Sequence, residues 1–205
     1  IPTAMSTLRL SREIPAGIEA VFDAHRTPER LARCLAHVEA QTMRPLDVHV
    51  HDNSIDNRYY TAAVNEGLKR HAFREDVEHV LVLGQDAYLA PDCVARLAAF
   101  MAERPDCGIA CPVQVDTTGA VTWSGSLDAF PSGIHRTQPA RELAAAEETY
   151  WANGACMMIR ASLIREIGLL DRNLRFVCSD ADYSFTARAR GWKVFLVRDA
   201  RCEHT

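Results

Sequence analysis

Asp180 and Asp182 open a segment, SDADYSFTARARGW, in which Ala181, Phe185 and Ala189 recur at helical spacing and Gly191 stands where a helix would end in a left-handed cap. Carboxylates placed there lie at the positive end of the helix dipole, close to backbone N–H groups that favour negative charge. Asp180 is therefore a candidate to accept a proton or face a cation. An aspartate at a helix start can equally serve as a cap, and Asp182 is assigned to that role or to holding the loop after Leu170-Asp171. Other polar residues follow apolar runs. Asp23-Ala24-His25-Arg26 comes after residues 18–22, His51-Asp52-Asn53-Ser54-Ile55-Asp56 after Val48 and Val50, and Gly84-Gln85-Asp86 after Val80-Leu81-Val82-Leu83. The group at 52–54 also suits a loop whose side chains bond their own backbone.

The elements that must position these residues alternate. Residues 18–22 form a short buried strand, and Thr27-Pro28 starts a helix with Thr as cap and Pro at its first position, carrying Leu31, Cys34, Leu35 and Val38 on one face. A second strand around Val48 and Val50 precedes a weaker helix over residues 58–70. The wholly apolar 80–83 run suits the middle of a parallel sheet, and a third helix begins near Pro91-Asp92, burying Val94, Leu97, Ala98 and Met101. This βαβαβα order predicts a parallel sheet covered by helices, with ligands outside the carboxyl ends of the strands. Residues 108–115 and 120–123 predict a hairpin around Thr118-Gly119. Residues 127–148, with Pro131, Gly133 and Pro139, predict a long mobile excursion with a helical turn at 141–146. An apolar strand within WANGACMMIR, the GLLD turn, the 180–189 helix and a strand ending at Cys202-Glu203-His204 complete the chain.

With 205 residues, 48% of them hydrophobic, the chain is long enough for one sizeable core. A net charge of −4 supplies no general attraction to nucleic acid or anionic membrane, and no apolar run approaches the roughly 20 residues of a transmembrane helix. Seven cysteines without framework spacing, with Cys34, Cys93, Cys156 and Cys178 in or beside apolar segments, predict buried thiols in a reducing compartment. Cys107-x-x-x-Cys111 lacks the second ligand pair a zinc site needs. His37 is expected on a helix, and His49, His71, His79 and His135 at the surface. Trp151 and Trp192 are expected as core or pocket wall. Residues 1–4, before Met5, have the look of a vector remnant, leaving 5–205 as one domain.

DNSID after the second strand, LVLGQDAYLAPD at the third, WANGACMMIR, GLLD, SDADYSFTARARGW and the closing His204 come in an order that resembles the inverting glycosyltransferases of family 2, most of all their rhamnosyltransferase-like bacterial members. The resemblance runs over residues 18–204. It implies a GT-A fold: a nucleotide-diphospho-sugar transferase, Rossmann-like, three-layer α/β/α with a mixed, mostly parallel central sheet. The nucleotide-binding half would span about 17–112 and the acceptor and catalytic half about 113–205. The implied activity is transfer of a hexosyl or deoxyhexosyl unit from a nucleotide-diphospho-sugar donor to a hydroxyl of a glycan, lipid-linked saccharide or small molecule, as in bacterial polysaccharide biosynthesis. The implied location is the cytoplasm or the inner face of the membrane. Carried over residue by residue, Asp52, with Asn53, Ser54 and Asp23, resembles the nucleotide contact. Asp86 resembles the last acid of the D-x-D motif that holds Mn²⁺ or Mg²⁺ on the diphosphate, His204 the late histidine completing that metal site, and Asp180 the general base. Trp123, Gly154, Ala155, Ser179 and Asp182 fall at the acceptor and donor pocket.

Four positions depart from the family pattern. His51 precedes Asp52 where an Asp is common, Gly84 takes the first place of D-x-D, Ser179 replaces the Glu before Asp180, and Asp23-Ala24-His25 replaces Thr-Tyr-Asn. Metal binding would then rest on Asp86 and His204 and on phosphate oxygens from the donor, so it should be weak without nucleotide. The same departures support a second reading, a catalytically inactive GT-A-like protein that binds a nucleotide or partner. A third is another nucleotide-dependent transferase or a sugar-binding module on a related sheet.

Overall fold

The computed structural model describes residues 17–24, 28–43, 46–52, 58–129 and 132–205. In chain order these form β1 (Gly17–Ala24), α1 (Pro28–Glu39), β2 (Leu46–Asp52), α2 (Tyr59–His71), β3 (Val77–Gly84), β4 (Ala87–Leu89), α3 (Cys93–Glu103), β5 (Cys107–Val115), β6 (Val121–Trp123), β7 (Ser126–Ala129), β8 (Ser132–His135), a 3₁₀ turn at Ala140–Glu142, β9 (Ala146–Glu148), β10 (Cys156–Arg160), α4 (Ala161–Ile167), α5 (Ser179–Ala189) and β11 (Lys193–His204). The expected first strands and helices are all present. Residues 1–4, Thr27, Asn53 and Ser54 lie outside the described residues.

One large sheet runs β2-β1-β3-β10-β5-β11-β4, with β6 added on β5 and β9 on β11. The expectation of a mostly parallel sheet needs correction. The β1–β2, β1–β3 and β5–β11 pairings are parallel, whereas β10 runs antiparallel to both β3 and β5, and β4, β6 and β9 also pair antiparallel. The βαβ rule governs only the first three strands. The later strands arrive through hairpins and short connections, which permit antiparallel pairing.

The pleat sorts the apolar side chains of the central strands into two layers. Leu81, Leu83, Cys156 and Met158 join α1 and α3 on one face, while Val80, Val82, Met157 and Ile159 join α2, α4 and α5 on the other. A strand buried on both faces must be continuously apolar, and VLVL and CMMI are. The three-layer α/β/α expectation therefore holds.

Several local readings differ. The described residues of this stretch, 127–129 and 132–148, carry strands rather than a long mobile excursion: β7 and β8 pair antiparallel, and β9 pairs with β11 from Phe195↔Glu148 to Val197↔Ala146. Pro131 lies outside the described residues. His71 and His79 are buried, not at the surface, because each falls on the inward face of its element. Among the described residues all seven cysteines are free thiols; six are buried, Cys107 and Cys111 among them, and only Cys178 is exposed. Desolvation pushes the Cys107 thiol up to about 12, so it is an inert core side chain.

Candidate active site

The carboxyl ends of β1, β2 and β3 meet at one edge of the sheet. In register, Asp23 lies between His51 and Gly84, and Ala24 opposite Asp52. This places the backbone of Asp23 and Asp52 where the strand order predicts a ligand. Just beyond β3, Asp86 meets the last residues of the chain: β4 pairs antiparallel with the end of β11, Ala87↔His204. His204 Nε2 therefore stands 3.7 Å from Asp86 Oδ1, although the two residues lie at opposite ends of the family pattern. Gly84 lies against the Asp86 side chain. A Cβ on it would stand 2.8 Å from Asp86 Oδ1, and the Gly84 N–H donates to Ala155 O at 2.8 Å, tying β3 to the WANGA segment.

That segment leads to Asp180. Gly154 N–H donates to Asp180 Oδ2 and Ala181 N–H to Oδ1, both at 2.8 Å. A Cβ at Gly154 would stand 2.5 Å from the Tyr60 hydroxyl and 3.2 Å from Asp180 Oδ2, so glycine permits the close approach. The Tyr60 hydroxyl donates to Gly154 O at 2.9 Å. Behind them, Ser184 Oγ donates to Asp180 O at 2.7 Å while accepting from Ala152 N–H. Asp180 occupies the first turn of α5, whose N-cap position is Cys178. Its carboxylate holds both an N–H of that turn and the backbone of the turn before β10. Cys178, just before α5, has φ 66°, a left-handed conformation that persists only where the surroundings hold it.

Two clefts share this carboxylate. The smaller, about 280 Å³, is lined by Gly84, Asp86, Gly154, Ala155, Asp180 and His204, among others. The larger, about 770 Å³, is walled by His135, Trp151, Phe176, Val177, Asp182 and Phe185. Asn153, Phe176 and Asp180 border both. The Trp151 ring lies 5.9 Å from His135 and 6.1 Å from Phe185, and a Cβ on Gly133 would collide with it. Asp86, His204, Gly154, Ala155 and Asp180 are thus brought together, and Asp182 lies on the larger cleft.

Two expected pocket residues are not in the pocket. Trp123 is 1% exposed in the core beneath α2 and α4, because its strand pairs inward on β5. Ser179 is also buried, and its hydroxyl has no hydrogen-bond partner among the described residues. It lines neither cleft. Trp151, expected only as core or pocket wall, is the wall of the larger one, and no local signal distinguishes it from Trp123. Phe176 was missed, since a loop aromatic carries no periodicity. A divalent cation fits Asp86 and His204 as an oxygen and a nitrogen donor. Gly84 offers no carboxylate, so the protein supplies few ligands.

The glycosyl transferase family group 2 profile matches residues 79–205, more than half of the chain and the stretch that carries Asp86, Asp180 and His204. A search of curated proteins found no match. Among solved structures, the chain is similar to that of GalNAc-T7 with UDP, GalNAc and Mn²⁺, with a TM-score of 0.73 at 14% identity over 98% of this chain and 47% of that one. It is similar also to S. aureus TarS, with a TM-score of 0.67 at 14% identity over 92% of this chain and 36% of that one. TarS residues 1–349 in complex with UDP give 0.64 at 13% identity, covering 92% and 61%. The chain spans less than two thirds of each of these proteins. Among the described residues no helix is long and apolar enough to cross a membrane. With its GT-A α/β fold and a profile match over more than half of its length, the chain belongs to glycosyl transferase family group 2.

Proposed function

We propose that the protein is an inverting glycosyltransferase whose nucleotide-diphospho-sugar donor occupies the smaller cleft and whose hydroxyl acceptor enters from the larger one. One observation carries this reading: a single carboxylate, Asp180, borders both clefts beside the Asp86–His204 pair. Displacement at a sugar carbon needs a base on the acceptor side and charge neutralisation on the leaving-group side; Asp180 reaches the larger cleft, whereas Asp86 and His204 line the smaller one alone. In this reading residues 17–112 bind the nucleotide and 113–205 supply the acceptor side.

In this reading Asp52 and Asp23, together with Asn53 and Ser54, supply the contacts to base and ribose. Asp86 and His204 would hold Mn²⁺ or Mg²⁺, which supplies charge neutralisation to the departing diphosphate. Gly154 N–H and Ala181 N–H each hold one Asp180 oxygen in place, and the remaining lone pairs of the carboxylate take the acceptor proton as the hydroxyl attacks the far face of the sugar carbon. Trp151 and Phe185 give the acceptor an apolar floor. UDP in the solved relatives supports a uridine or related diphosphate. The hexosyl or deoxyhexosyl unit, the rhamnosyltransferase-like kinship and a cytoplasmic role in bacterial polysaccharide assembly belong to the same proposal.

Calorimetric titration with UDP, TDP and GDP tests it, followed by nucleotide-sugar hydrolysis with and without Mn²⁺. A diphosphate should bind, Mn²⁺ should bind weakly alone and far more tightly with the diphosphate, and His204→Ala should weaken the ternary complex. No binding at millimolar concentration sinks the donor site. Binding without any hydrolysis or transfer favours the inactive nucleotide-binding alternative, for which His51, Gly84 and Ser179 are the grounds.

A further inference from the structure

His49 and His51 stand two residues apart on β2, so their side chains share a face. The alternate residues Val48 and Val50 pack with the α1 and α3 layer, which turns both imidazoles toward α2. From α2, Glu66 reaches back. One ligand atom each from His49, His51 and Glu66 all lie within 4.8 Å of one another, with His51 Nδ1 at 3.4 Å from Glu66 Oε2. A tetrahedral ion bonded at roughly 2.0–2.1 Å sets its ligands about 3.3 Å apart. The His51–Glu66 pair already has that spacing, and small side-chain rotations bring in His49. The His71 ring, 5.9 Å from that of His49, flanks the group.

Arg58 competes, with Nη1 at 3.3 Å from Glu66 Oε2. Both side chains are about half exposed, so this ion pair is worth little and opens readily. The three residues line neither of the two clefts. Their chemistry also differs from that of Asp86 and His204. Two imidazoles and a carboxylate leave one position open and favour zinc-like ions over Mn²⁺, which stands lowest in the affinity order of the first-row divalent metals.

We propose that His49, His51 and Glu66 form a second metal site, for Zn²⁺ or a similar late first-row ion, that clamps the outer strand β2 to helix α2. The clamp lies at the end of β2 that leads into Asp52. It stands independently of the glycosyl-transfer reading, since neither nucleotide nor acceptor takes part.

The test titrates metal-stripped protein with Co²⁺ and Zn²⁺ in the absence of nucleotide. One equivalent should bind, and the Co²⁺ spectrum should show d–d bands without a thiolate charge-transfer band. Zn²⁺ should raise the melting temperature. Asp86→Asn and Cys178→Ser should bind as the wild type does. His51→Ala and Glu66→Gln should each weaken binding by about 100-fold or more, since even indirect partners of a metal contribute 10- to 100-fold. Glu66 is half exposed, so its variant folds even if the histidine variant does not. Absence of binding, unchanged affinity in Glu66→Gln, loss of binding in Asp86→Asn, or a thiolate band would each overturn the proposal.

Discussion

The two clefts on either side of Asp180 are built differently. The smaller one is a backbone construction: Gly84 and Gly154 let strands and carboxylates approach where a Cβ would stand 2.8 Å from Asp86 Oδ1 or 2.5 Å from the Tyr60 hydroxyl. Its charged residues are fixed by main-chain bonds and by the β4–β11 pairing. The larger one is a side-chain construction, walled by Trp151 and by Phe176, Val177 and Phe185, which are 65%, 69% and 41% exposed. Backbone geometry tolerates little change, whereas exposed side chains exchange at small energetic effect. In the proposed reading the first suits the transfer step and the second the choice of acceptor.

Substitutions can break that contrast. Asp180→Asn should lower turnover by roughly 100- to 10,000-fold, the worth of a positioned base, with nucleotide affinity and melting temperature nearly unchanged. Turnover that stays near normal, or a loss that merely tracks unfolding, places the base elsewhere. Gly154→Ala should reduce kcat by about 100-fold through displacement of Asp180 or Tyr60, since misplacement by 1 Å has effects of that size. Kinetics like those of the wild type would show that the smaller cleft is softer than its geometry implies.

A third prediction separates stability from both clefts. His79, paired with Arg160 at the far end of β3, is buried and its Nε2 has no hydrogen-bond partner among the described residues. Burial first, then the Arg160 charge, lowers its pKa from 6.5 to about 4. The unfolded chain takes up the proton at higher pH than the folded one, so this contribution is complete above pH 6.5 and is lost as the pH falls toward 4. The loss should reach about 3 kcal/mol. Denaturant titrations of wild type and His79→Gln across that range should show a shallower slope for the variant, and equal slopes would assign the acid sensitivity elsewhere. The smallest effect is expected at Phe185→Ala: about a tenfold rise in KM for the acceptor, near 1.4 kcal/mol, with donor hydrolysis unchanged. A matching fall in donor affinity would merge the two clefts into one.

Much of the architecture was legible because local periodicity and burial agree. VLVL over 80–83 is apolar on both faces because helices cover both, and α3 buries Val94, Leu97, Ala98 and Met101 as its spacing predicts. Asp180 was legible from helix phase, with Gly191 at φ 88° beyond its end. The short α4 and three-residue strands such as β4 and β9 were not, since so few residues show no period. Trp123 and Trp151 are alike in sequence, yet the pleat of β6 buries one while the turn before β10 sets the other against a hairpin glycine.

By itself the sequence determined which residues could do chemistry, their order, and the layers that would carry them, because side-chain type and hydrophobic period are local properties. Only the tertiary structure decided that β10 runs antiparallel between β3 and β5, that the pairing of Ala87 with His204 brings the end of the chain to Asp86, and that one carboxylate serves two clefts. It also set His49 and His51 against Glu66. These are contacts between residues far apart in the chain, and strand pairing and close backbone approach, rather than local preference, select them.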